Sequence, residues 1–144
     1  MRSAMWLYTI HGFYSVVAVR PNPEGNAAQV PGGNLIMVRA RKRQHLMNLQ
    51  NRFPGLLAPY RISETPTNDY KCRMVLPGAL WIEIAKELAA EITYPNFKEI
   101  VKASPETDPS YGTVLHDVWE VMFWWQCQGA RGSDGKDGAE DVLF

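Results

Sequence analysis

Residues 71–92 read KCRMVLPGALWIEIAKELAAEI, and the spacing of their apolar side chains changes half-way along. Up to Leu76 the pattern alternates. Cys72, Met74 and Leu76 fall on one side, and Lys71, Arg73 and Val75 on the other, as in a half-buried strand. After Pro77-Gly78, Leu80, Ile84, Leu88 and Ile92 recur at every fourth residue and Trp81 widens the stripe, which is the core-facing arc of a helix. The stretch therefore predicts a strand over 70–76 running straight into a helix over 78–92.

The same reading extends outward. In 35–41, Ile36, Val38 and Ala40 alternate with Met37, Arg39 and Arg41, a second strand of the same kind. Residues 5–19 are rich in aromatic and β-branched side chains and are broken by His11-Gly12, which predicts strands over 6–10 and 13–19. A further strand over 60–63 joins the 70–76 strand through the turn-rich Thr65-Pro66-Thr67-Asn68-Asp69. Helices are predicted over 42–52, where Leu46, Leu49 and Phe53 share a side and Pro54-Gly55 ends the run, over 95–102 with Pro95 in the first turn, and over 109–126 with Asp108 as N-cap. Residues 21–33 read as a loop closed by Pro31-Gly32-Gly33. Strands in hairpin-like pairs interleaved with helices predict an α+β fold, an antiparallel sheet with helices packed on one face. The compact domain spans 1–127. From 128 to 144 the apolar periodicity vanishes and a flexible acidic tail is expected.

Composition narrows the classes. The chain has 144 residues, 46% hydrophobic and 21% charged, with no net formal charge, so a sizeable core is expected and bulk charge argues for no particular partner. Two cysteines, Cys72 and Cys127, make no disulfide framework and read as reduced thiols of a cytoplasmic protein. Thr9, His11, Gly12 and Ser15 interrupt the apolar stretch after Arg2, and no run reaches the roughly 18 apolar residues of a membrane span. His11, His45, His116, Cys72 and Cys127 include no pair at zinc-ligand spacing. Neither a glycine-rich phosphate loop nor a nucleophile elbow is present, and no cofactor is implied.

Charge is segregated along the chain. No acidic residue occurs between Glu24 and Glu64, whereas Arg39, Arg41, Lys42, Arg43, Arg52 and Arg61 do. Arg39 and Arg41 share a strand face that Lys71 and Arg73 extend, and with aromatics such as Tyr8 and Tyr14 nearby such a face suits phosphates and stacked bases. The leading expectation is a non-catalytic protein that contacts nucleic acid or a nucleoprotein there. The structural alternative is a solvated face whose cations pair with acidic neighbours.

Two features support an interaction protein instead. Glu83, Glu87 and Glu91, four residues apart, make an acidic ridge on one helix. On the last helix Val114, Leu115, Val118, Trp119, Val121, Met122 and Trp125 fill one broad arc, with Trp124 outside it as a candidate interface anchor or homodimer contact. An inhibitor of the phage anti-defence type would use these groups. The tail ends in Val142-Leu143-Phe144, which resembles the Leu-Phe ends of peptides that bind bacterial sliding clamps, with Glu140 or Asp141 where those peptides carry Gln. A third reading, a small phosphodiesterase or nuclease, would draw on Asp69, Tyr70, Arg73, Asn96, Lys98 and His116, whose spacing alone does not bring them together.

Several segments also resemble those of a group of small bacterial and phage proteins with no established activity. They are Met5-Trp6-Leu7-Tyr8-Thr9 with Gly12-Phe13-Tyr14-Ser15, Val38-Arg39-Ala40-Arg41, Thr67-Asn68-Asp69-Tyr70, Tyr94-Pro95-Asn96-Phe97-Lys98 and His116-Asp117-Val118-Trp119. The resemblance covers about 5–126 and implies one domain, with no activity attached.

Overall fold

The computed structural model describes residues 4–19, 35–104, 106 and 108–130, the side chains of 129 and 130 excepted. The expected loop over 21–33 and the tail beyond 130, including Leu143 and Phe144, lie outside the described residues. The elements in order are β1 (Ala4–Thr9), β2 (Gly12–Ala18), β3 (Leu35–Ala40), α1 (Arg43–Arg52), α2 (Pro54–Leu57), β4 (Ser63–Glu64), β5 (Cys72–Pro77), α3 (Gly78–Ala90), α4 (Phe97–Ala103) and α5 (Pro109–Ala130). The five strands form one sheet in the order β1-β2-β3-β5-β4, antiparallel throughout. The fold class is α+β, as the sequence pattern predicts.

Register sorts the strand side chains into two faces. Leu7 lies across from Tyr14, Val16 from Val38 and Val38 from Met74. With Ala40, Cys72 and Leu76 these residues make the first face, which packs against Leu46 and Leu49 of α1, Leu57 of α2, and Trp81, Ile84 and Leu88 of α3. Burying each of the large aliphatic side chains contributes about 1.5–3 kcal/mol, so this layer carries most of the stability. Tyr14 is fully buried here, its hydroxyl donating to the His45 carbonyl at 2.6 Å. It is therefore on the opposite side of the sheet from the cations it was expected to join.

The second face carries Trp6, Tyr8, Phe13, Ser15, Met37, Arg39, Arg73 and Val75, because Trp6 pairs with Ser15, Tyr8 with Phe13, Ser15 with Arg39 and Arg39 with Arg73. A smaller cluster, Val101 of α4 with Tyr111 and Leu115 of α5, packs against Tyr8 and Phe13 of this face. α5 thus meets the sheet by its first turns.

Some boundaries differ from the pattern. Asn96 caps α4, its Oδ1 accepting the Glu99 N–H at 3.2 Å, so Pro95 precedes the cap instead of sitting in the first turn. α3 stops at Ala90, which leaves Ile92 off the stripe and 66% exposed. The strand expected over 60–63 is reduced to Ser63–Glu64. The apolar arc of α5 meets the rest of the molecule only in part. Beyond Leu115 much of it is exposed, Val121 at 66% and Trp125 at 68%. Among the described residues no helix is long and apolar enough to cross a membrane.

Candidate ligand-binding site

The β1–β2 turn organises the site. Thr9 Oγ1 accepts the N–H groups of His11 and Gly12 at 3.1 and 3.2 Å and donates to the Gly12 carbonyl at 2.9 Å, tying a two-residue loop. Gly12 adopts φ +149°, and a Cβ there would stand 2.3 Å from Cγ of His45, so the position requires glycine on both counts. The Phe13 N–H donates to His45 Nδ1 at 3.2 Å, which leaves the His45 proton on Nε2, and burial pushes the His45 pKa down so that the ring stays neutral. On the other side of the turn His11 is buried between Glu91 at 2.8 Å and Glu106 at 3.2 Å, and Asn48 donates to the carbonyls of His11 and Glu106 at 3.0 and 2.9 Å. The second oxygen of Glu91 takes the Arg52 Nε. Helices α1 and α3 therefore fix the hairpin from one side while Tyr111 of α5 donates its hydroxyl to the Thr9 carbonyl at 2.8 Å from the other.

The groove left between the hairpin and α5 is a cavity of about 260 Å³. Its walls are Trp6, Tyr8, Phe13, Tyr70 and Tyr111, with Arg41, Lys42, His45 and Asp108 supplying the polar groups. Tyr8 and Phe13 stack at 4.5 Å between centroids, and Trp6 meets Phe13 edge-on at 5.9 Å. The guanidinium carbons of Arg39 and Arg41 each lie 4.4 Å from the centroid of the Tyr70 ring, which is buried. Burial, then the neighbouring Tyr70 phenol, raises the pKa of Tyr8 against the pull of Arg41, and burial lifts Tyr111 well above the usual phenol range. Both rings are uncharged at neutral pH. The volume is close to the lower end of small-molecule sites, about 300 Å³, and suits one ring system.

The cations expected to form one basic face divide into three pairs. Arg43 and Lys71 both reach Glu64, at 3.3 and 3.0 Å, and the Lys71 ammonium foremost holds that carboxyl below its usual range. Arg41 donates to the carbonyl and carboxylate of Asp69 at 3.0 and 3.2 Å while its outer side stays exposed, and Lys42 beside it lines the cavity. Arg39 donates to Ser15 Oγ and Arg73 to Thr65 Oγ1, both at 2.7 Å. Among the described residues neither Arg39 nor Arg73 has a carboxylate partner, and Arg39 Nε and Arg73 Nη1 are buried without any acceptor.

The other candidates fall elsewhere. Glu83 and Glu87 are exposed on α3, whereas Glu91 is turned inward to His11 and Arg52, so the ridge is two residues long. Trp124 is 37% exposed on α5. The six residues of the phosphodiesterase reading take up two separate sets of contacts. Asp69, Tyr70 and Arg73 sit with Arg41, Arg39 and Thr65, whereas Asn96 caps α4, Lys98 lies over the Trp119 ring and His116 stacks on it. Among the described residues no group of three His, Cys, Asp or Glu side chains is arranged to hold a metal ion.

The sequence pattern missed Phe13, His45, Asp108 and Tyr111 as site residues, and weighed Trp6 only as part of a strand. The alternation Trp6, Tyr8 on β1 was a usable signal, since two aromatics at that spacing share a face. The α5 contribution depends on tertiary packing and had none. Comparison with protein families, with curated proteins and with solved structures finds no match.

Proposed function

We propose that this protein is a non-catalytic, cytoplasmic binding module for single-stranded nucleic acid, which inserts a base among Trp6, Tyr8, Phe13, Tyr70 and Tyr111 and meets the adjoining backbone with Arg41 and Lys42. The observation that carries this reading is the aromatic cavity with cations at its edge. Neutral aromatic faces stack any base, and flexible exposed cations neutralise phosphates without reading sequence. The ion pairs of Arg43 and Lys71 with Glu64 limit the basic surface to this neighbourhood, so a short segment is engaged, not a long track.

Titration with a short single-stranded RNA, followed by fluorescence anisotropy, tests the reading. Trp6→Ala is expected to weaken binding by about 1–3 kcal/mol, or roughly 5–150-fold, as the loss of one stacking platform does. Binding that is absent in the wild type, or indifferent to Trp6, would remove it.

A separate observation favours a protein-interaction role for α5, whose Trp119, Val121, Met122 and Trp125 form an exposed apolar face of the kind that anchors interfaces. In that reading α5 engages a second copy of the chain or an inhibited target. Met122→Lys is expected to abolish self-association measured by sedimentation, and a wild-type chain that is monomeric at all concentrations would exclude the homodimer.

A further inference from the structure

Arg39 and Arg73 stand directly opposite one another on neighbouring antiparallel strands, on the second face. Like charges in that relation destabilise a sheet, and proteins ordinarily relieve them with a carboxylate. Here the described residues offer none, and each arginine also holds one buried N–H without an acceptor, Nε in Arg39 and Nη1 in Arg73. The groups around them deepen the imbalance. Ser15 Oγ and Thr65 Oγ1 each accept from an arginine at 2.7 Å, which leaves the hydroxyl protons of both free to donate onward. Two guanidiniums and two hydroxyls, strung from β2 across β3 and β5 to the turn after β4, thus make a group rich in donors and short of acceptors.

We propose that these side chains form a subsite for a phosphate group, with Arg39 and Arg73 as its forks. A phosphate ester brings several acceptor oxygens and no donors, and its negative charge offsets the two opposed positive ones. Arg39 also lies over Tyr70, whose ring is a wall of the aromatic cavity, so the subsite adjoins the place where a base would stack. The inference rests on the nucleic-acid reading for its ligand, and it adds the contact that separates a nucleotide from a bare base.

The test is calorimetric titration of the full chain with three probes at one ionic strength: adenosine, adenosine 5′-monophosphate and inorganic pyrophosphate. The monophosphate is expected to bind at least about tenfold more tightly than adenosine, the effect of charge-assisted hydrogen bonds. Arg73→Gln is expected to erase that ratio and leave adenosine unchanged, and to melt no lower than wild type because it removes one of two opposed charges. Arg61→Gln, an exposed arginine elsewhere, keeps the ratio. Arg73→Lys, which keeps the charge and loses the fork, serves the same comparison if the glutamine variant does not fold.

Equal affinities for adenosine and its monophosphate, or a ratio that survives in the Arg73 variants, would overturn the subsite while leaving the aromatic cavity in place. Pyrophosphate bound in the wild type and lost in the variant, with no adenosine binding, would support the subsite and overturn the stacking reading. Binding of none of the probes would overturn both.

Discussion

The two faces of the sheet are built from the same strands by the same alternation, yet they end in opposite conditions. On the first face Tyr14, Val38, Met74 and Leu76 are buried against α1 and α3, and the one hydroxyl among them is satisfied by a backbone carbonyl. On the second, Trp6 is largely open, Tyr8 and Phe13 line a cavity, and Arg39 and Arg73 keep N–H groups without acceptors among the described residues. Close packing and complete hydrogen bonding are the usual end of folding, so a face that lacks both is held in that state by the rest of the molecule. One face supplies the stability, and in the proposed function the other keeps groups available for a ligand.

Substitutions should separate the two. Leu49→Ala, in the helix layer of the first face, is expected to cost about 2–5 kcal/mol in urea unfolding, since it opens a cavity in a packed core. Gly12→Ala is expected to cost about 2–4 kcal/mol by the same measurement, because it combines a disfavoured φ with a Cβ driven into His45. A loss of this size from a second-face residue such as Trp6 would break the comparison.

Much of this contrast was legible in the sequence. The alternation of Cys72, Met74 and Leu76 against Lys71, Arg73 and Val75 put each residue on its observed side, and the same held for Val38 and Ala40 against Arg39. What one strand cannot show is its partner. That Arg39 faces Arg73, or that Tyr14 faces away from the cations, follows from register and from the turn at His11-Gly12. The cavity was further from reach, since one of its walls is Tyr111, about a hundred residues from the Thr9 carbonyl it binds. On α5 the apolar arc was legible but its exposure was not, because periodicity says that a face is apolar and not what covers it.

A smaller effect sharpens the account at the boundary between the faces. His45 has a pKa lowered by burial, so the unfolded chain binds the proton more readily than the folded one. Its contribution is present in full above about pH 6.5, the unfolded value, and is lost as pH falls from there through the folded value. His45→Asn retains an acceptor for the Phe13 N–H and cannot titrate. Thermal melts above and below about pH 6.5 are expected to show a shallower acid loss in this variant. An identical slope would mean that His45 does not titrate on unfolding.

The smallest effect concerns salt. Arg41→Ala should change stability by no more than about 1 kcal/mol, as its ion pair with Asp69 is exposed. It should also reduce the slope of log affinity for single-stranded RNA against log salt by about 0.7, the value for one phosphate contact. An unchanged slope would take Arg41 out of the backbone contact.

The central claim is that ligand meets the second face at the aromatic cavity, and amide and side-chain chemical shifts recorded during titration with a short single-stranded oligonucleotide test it most directly. The account predicts shifts concentrated at Trp6, Tyr8, Phe13, Arg41 and Tyr70, with the residues of the first face unmoved. Shifts confined to α5, or none at saturating oligonucleotide, would contradict it.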